Sequence, residues 1–307
     1  MLVCSHSMST KTIYYIAFSL VSITMYGQNM FITTGAEDLV ALDYNIYTSL
    51  NDVQFEKKSV TVDFTSLLKK PTFGFGVHYT NTSSDFEDYD MYNHFNSFEE
   101  LHSLEIYAKY KKALANNWDL DITLAPYLSS TFNEKITSED FVFSYAANFI
   151  KTWHKDNGLE SYLKLGAGYG SLFGKPNFYP LISYSNNVNE KFRYEIGFPI
   201  TGAYYAVNEQ SIISLTGKPE SIYANNASGF SMENDAVFYN SKYEFTALNV
   251  ALGYNFQFDS NWSTYFNVGY LTASELSITK NDNAIYDFDS DDSLSLNIGI
   301  SLNINNK

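Results

Sequence analysis

Large apolar side chains occupy every second position along much of this chain. Val60, Val62 and Phe64 alternate with Thr61, Asp63 and Thr65, and Phe73, Phe75, Val77 and Tyr79 alternate with Gly74, Gly76 and His78. Leu104, Ile106, Ala108 and Tyr110 oppose Glu105, Tyr107 and Lys109. Trp118, Leu120, Ile122 and Leu124 oppose Asp119, Asp121 and Thr123. Phe192, Tyr194, Ile196 and Phe198 stand against Arg193 and Glu195, and Leu248, Val250, Leu252, Tyr254 and Phe256 follow. The last ribbon, DDSLSLNIGISLNINNK, sets Leu294, Leu296, Ile298, Ile300, Leu302 and Ile304 against Ser, Asn and Gly. Period two predicts β-strands with one greasy and one wet face, as in a sandwich or a membrane barrel.

The connectors separate these two architectures. In chain order they alternate between short (SLLKKP, KKALANN, HKDNGLE, SNNVNE, VNEQ, FDSN) and long, the long ones at residues 80–100, 130–140, 218–241 and 273–292. A sandwich has no reason to keep every second loop short, whereas an outer-membrane barrel has tight inner turns and long outward loops. The expected fold is therefore all-β, a closed antiparallel transmembrane barrel with meander topology. From Leu39 to Ile304 the count is about 14 strands, an even number that returns the chain to the inner side. Residues 178–218, broken by Pro180 and Pro199, leave roughly 12 as the alternative count for such a barrel. Trp118, Trp153 and Trp262 each adjoin a short connector, which places them at one end as an interfacial aromatic belt.

Composition adds to this picture. The 307 residues carry a net charge of −15, and aromatics make up 17%, mainly 26 Tyr and 24 Phe. Such an acidic chain lacks the clustered basic surface of a nucleic-acid binder, and Tyr suits a boundary between oil and water. Mean hydropathy is −0.21, unlike a helical membrane protein. The segment MSTKTIYYIAFSLVSITMYGQ has a positive flank at Lys11, an apolar core from Ile13 to Met25 and a processing site near Gly27. This is the layout of a secretory signal peptide. The expected divisions are a cleaved leader at 1–27, a short periplasmic segment at 28–38 and the barrel at 39–304, with Met8 an alternative start. The one cysteine, Cys4, falls in the leader, so the exported chain has no thiol chemistry.

Candidate chemistry is sparse. Asp63, His78, Glu105, Lys109, Asp121, Lys164, Arg193 and Glu195 fall on the wet faces. A charge facing lipid at mid-depth costs about 2–4 kcal/mol, so these are expected to line a polar lumen. LGAGYGSLFGK lacks the residues of a phosphate loop, and Gly166, Gly168 and Gly170 read as small inward positions. A rim enzyme would pair His78 with Ser83 or Asp85, but no nucleophile elbow or zinc helix is present. His94 and His102 read as solvated loop residues. Asp287, Asp289 and Asp291 alternate as in a calcium loop, without its turn glycine and closing Glu. The acidic loops DFEDYDMYNHFNSFEE and NDNAIYDFDSDD therefore read as solvated, and no cofactor is expected. Asn297, Gly299, Leu302 and Ile304 resemble the C-terminal assembly signal of outer-membrane proteins, with Ile304 in place of the final aromatic.

The stretch FGKPNFYPLISYSNNVNEKFRYEIGFPITGAYYAVNEQSIISLTGKPESIYANN, with the later ALGYNFQFDSNWSTYFNVGY, resembles a family of Gram-negative outer-membrane β-barrel proteins catalogued as a domain of unknown function. The resemblance implies a barrel in the outer membrane and supplies no activity or catalytic residue. The expectation is an outer-membrane protein that passes small solutes through a narrow or gated lumen. The alternatives are a non-transporting surface or envelope barrel and, third, a lipid-modifying rim enzyme. The expected partners are outer-membrane lipid, surface glycolipid and the barrel-assembly machinery, with no nucleic acid.

Overall fold

The computed structural model describes residues 38–50, 53–68, 72–86, 95–232 and 237–304. The leader and residues 28–37 lie outside the described residues. Fourteen antiparallel strands form the wall. They are β1 (Val40–Leu50), β2 (Val53–Asp63), β3 (Phe73–Asp85), β4 (Glu100–Ala113), β5 (Trp118–Leu124, continued by Tyr127–Ser130), β6 (Phe141–Val142, continued by Tyr145–His154) and β7 (Glu160–Gly170). Then come β8 (Asn177–Asn187), β9 (Phe192–Phe198), β10 (Thr201–Ala206), β11 (Ser211–Asn226), β12 (Ser241–Gln257), β13 (Trp262–Lys280) and β14 (Ser293–Leu302). Each pairs with its successor, and β14 closes the ring on β1 with Val40 opposite Leu302 and Tyr47 opposite Ser295.

The alternation maps onto the wall. On β14, Leu294 and Ile298 are 52% and 53% exposed on the outside, while Ser293, Ser295 and Ser301 are buried inside. Val60, Phe75, Ile106, Phe149, Ile182, Ile196, Leu215 and Leu252 are likewise exposed, so a continuous apolar belt surrounds the molecule. A soluble monomer does not carry a patch of that size; the belt faces hydrocarbon.

Of the two prolines expected to break this region, Pro199 falls in the connector between β9 and β10, while Pro180, like Pro219 further on, sits on an open edge. β8 gains β9 as a neighbour only from Ile182 onward, so Pro180 lies beyond that pairing. β10 covers β11 only as far as Gly217, so Pro219 lies beyond it too. A missing N–H is tolerated where no ladder bond is due. The region therefore keeps all its strands, and the count is 14, not 12.

Two expectations about the loops change. Residues 218–226 and 273–280 belong to strands, because β11, β12 and β13 are tall, with 16, 17 and 19 residues. The loop end is also uneven: β9 and β10 are joined by Pro199 and Ile200 alone. Where these short strands stop, the tip of β5 meets the tip of β11 in a parallel bridge between Ser130 and Asn225. Asn225 accepts from Thr131 N and Ser130 Oγ, both at 3.0 Å, and donates to Asp140 at 2.8 Å. At the loop end the barrel is thus pinched into a smaller ring of β11–β14 and β1–β5, with β6–β10 left to one side.

Candidate functional site

The barrel interior is the candidate site, and it has three levels. At the loop end, Tyr47, Leu50, Phe55, Leu101, Ile222, Tyr243, Phe245, Leu271 and Ile278 point inward from the wall and are all buried. Connectors add Phe86, Phe95, Phe98, Phe230 and Phe288 to the same cluster. Phe95 lies 5.6 Å from Phe86, 5.4 Å from Phe230 and 5.1 Å from Phe288, ring centre to ring centre. This aromatic plug fills the mouth. The acidic loops expected to be solvated therefore anchor themselves through their phenylalanines, since rings are expelled from water, while Asp85, Glu99, Asp287 and Asp289 beside them stay exposed.

Below the plug the interior is polar and equally full. Tyr265 donates its hydroxyl to Asp43, and Lys218 pairs with Glu220 at 2.8 Å. Asn267 donates to Asn297 at 2.6 Å. Lys57 is buried beside them, and the cavity they leave is about 30 Å³, room for a single water. Gly299 belongs to this level: a Cβ there would lie 2.2 Å from the Tyr265 ring, so only glycine lets Tyr265 reach Asp43.

Toward the short-turn end Asp63 is wholly buried. It accepts from Tyr107 Oη at 2.6 Å, Thr65 N at 2.7 Å and Lys109 Nζ at 3.3 Å. A buried pair is tolerable when its remaining lone pairs are met in this way. Glu105 and Lys164 are buried, while Asp121, Arg193 and Glu195 are half-buried. The guanidinium of Arg193 stacks 4.3 Å from the Tyr204 ring centre. A larger cavity, 310 Å³, opens here between β4, β5, β6 and β7.

His78 is buried inside, hydrogen-bonded to Thr61 Oγ1 at 2.8 Å and Thr80 Oγ1 at 2.9 Å. Ser83 sits on the opposite face of β3 and donates to Glu100 at 2.8 Å. Asp85 is exposed on that same outer face, so the rim grouping of His78 with Ser83 or Asp85 is not assembled. His94 lies outside the described residues. His102 is half-buried and stacks on Phe132, with ring centres 6.0 Å apart. Asp287, Asp289 and Asp291 are exposed, and no group of three acidic, His or Cys side chains is placed to hold a metal among the described residues. Trp118, Trp153 and Trp262 lie on the outer face at the short-turn end, and Trp118 sits 5.8 Å beneath the Lys151 ammonium. Asn297, Gly299 and Leu302 stand in β14, and Ile304 follows it.

Sequence reasoning missed Asp43, Lys57, Lys218 and Glu220. Lys57 precedes the alternating run that begins at Val60, and Lys218 and Glu220 flank a proline in a segment assigned to a loop. The period-two parity of tall strands, extended through Pro219, was the available signal.

Residues 59–307 match the family described as a domain of unknown function (DUF6268). The chain belongs to that family. A search of curated proteins finds no match. Among solved structures the chain is similar to the NanC porin, at 10% identity over 86% of this chain and 100% of that one, with a TM-score of 0.41. It is similar to LpxR from Salmonella typhimurium at 7% identity over 86% and 100%, TM-score 0.41. It is also similar to outer membrane phospholipase A from Escherichia coli at 13% identity over 87% and 97%, TM-score 0.33. Likenesses at this level say nothing of activity in this member of DUF6268.

Proposed function

We propose that this protein is a sealed outer-membrane barrel whose work is done at its surface, as an envelope-structure or surface-interaction protein, and not a standing pore. One observation carries the reading: the aromatic plug and the polar layer beneath it leave inward side chains such as Asp63, Lys57 and Phe95 at 0–4% exposure. A conducting lumen keeps its lining wet; a filled one gives rigidity. In this reading the loop end faces outward and the short turns face the periplasm, with residues 1–27 as the cleaved leader. Outer-membrane lipid meets the belt, surface glycolipid meets the loops, and β14 carries the signal read by the assembly machinery. Planar-bilayer recording of the refolded full chain tests it. The expected trace is silent, and steady unitary steps without added solute would overturn the reading.

A gated channel is the second reading. It is favoured by the origin of Phe86, Phe95, Phe98, Phe230 and Phe288 in connectors, which can withdraw without breaking the wall. Steps that appear only when voltage or a solute is applied select it.

A further inference from the structure

A cavity of 310 Å³ lies at the short-turn end, and its lining carries charges of both signs. Lys111 enters from the end of β4, and Asp119 and Asp121 from the start of β5, while Lys112, paired with Leu120, stands beside the cavity on the outer face. Register sets Lys111 directly opposite Asp121. Deeper in the barrel Lys109 is matched to Asp63 and Lys218 to Glu220 at contact distance. Lys111, Asp119 and Asp121 form no ion pair at contact distance among the described residues, and the Lys111, Lys164 and Lys109 ammonium groups act on Asp121 from longer range. Asn148, buried and opposite Asp121 on β6, likewise has a carbonyl oxygen with no donor. Ile150 and the Tyr162 ring supply an apolar wall.

We infer that this cavity is a binding site for a small zwitterion carrying both an ammonium and a carboxylate, of amino-acid to dipeptide size. The volume is at the low end of the roughly 300–1,000 Å³ typical of small-molecule sites. A cation and two anions share the inward lining, so a ligand of one sign meets like charge there, while a zwitterion finds a partner for each of its ends. The apolar wall takes the ligand's short side chain. Access is from the short-turn end, which is periplasmic in the orientation above, and occupancy does not depend on whether the outer mouth opens.

The test uses the full chain purified in detergent micelles and three probes: dialanine, N-acetyl-dialanine and dialanine amide. Saturation-transfer NMR titrations are expected to show dialanine binding on the order of tenfold more tightly than either capped form, about 1.4 kcal/mol. Asp121→Asn should weaken dialanine and the amide but not the acetyl form. Lys111→Gln should weaken dialanine and the acetyl form but not the amide. Retained heat-modifiable gel migration confirms that each variant is a closed barrel. Equal binding of the three probes, or no dialanine binding at millimolar concentration to the wild-type chain, overturns the inference.

Discussion

Replacing Phe95 by Ala tests the plug directly. Phe95 has no exposed surface and touches the rings of Phe86, Phe230, Tyr286 and Phe288. Truncating a buried Phe costs about 3–5 kcal/mol, and each well-placed aromatic pair adds about 0.5–1.5 kcal/mol beyond its area. The loss falls on a connector whose backbone hold is modest: Glu99 N donates to Asn96 O at 3.3 Å, and Ser84 N to Glu99 O at 2.7 Å. The variant should therefore open locally and leave the wall intact, as elements held by few contacts do. At the lower figure the local opening equilibrium shifts by roughly 100-fold, since each 1.4 kcal/mol is a factor of ten. Hydrogen-exchange mass spectrometry on the peptide covering residues 95–101 reads this as faster exchange, up to the intrinsic rate, while β7 and β14 peptides stay protected. Phe178→Ala removes a ring that is 66% exposed on the outer face and serves as the control, with no change expected. A change of less than about threefold for Phe95→Ala, under roughly 0.7 kcal/mol, would show that Phe95 does not hold the plug and would refute the sealed mouth.

Two further outcomes follow from burial and facing. Asp63→Asn strands the Lys109 ammonium at 4% exposure and should lower stability by about 3–5 kcal/mol in urea titration from lipid vesicles; the double variant Asp63→Asn/Lys109→Met should recover much of it. An Asp63→Asn barrel with the wild-type midpoint would mean the pair is not buried. Ile298→Arg, on the lipid face of β14, should cost about 2–4 kcal/mol in the same assay, and no cost would place that face away from hydrocarbon.

The wall was legible in the sequence because hydrocarbon outside and polar contacts inside impose a period of two that local residues report faithfully. Leu294 to Leu302 state their facing without help from any other strand. The interior was less legible, because what fills a lumen is decided by residues far apart in sequence. Phe95 and Phe288 sit among carboxylates, so each window reads as a solvated loop, and only the closed ring shows that their side chains converge. Lys218 and Glu220 were hidden by Pro219, whose usual meaning as a strand breaker fails on an edge without a partner. The cavity beside Asp121 was invisible for a similar reason: of its lining only Asp121 stood out in the sequence, and a space between side chains leaves no mark on the chain.

The bridge between Ser130 and Asn225 makes immediate neighbours of strands almost a hundred residues apart, about 95 by sequence separation. The stretch from β6 to β10 is thereby a topological insert in a smaller cylinder. A hairpin gained or lost within it changes the girth of the inner half and leaves the perimeter of the mouth as it was. Descendants of this gene can therefore resize one end of the molecule, two strands at a time, without redesigning the other.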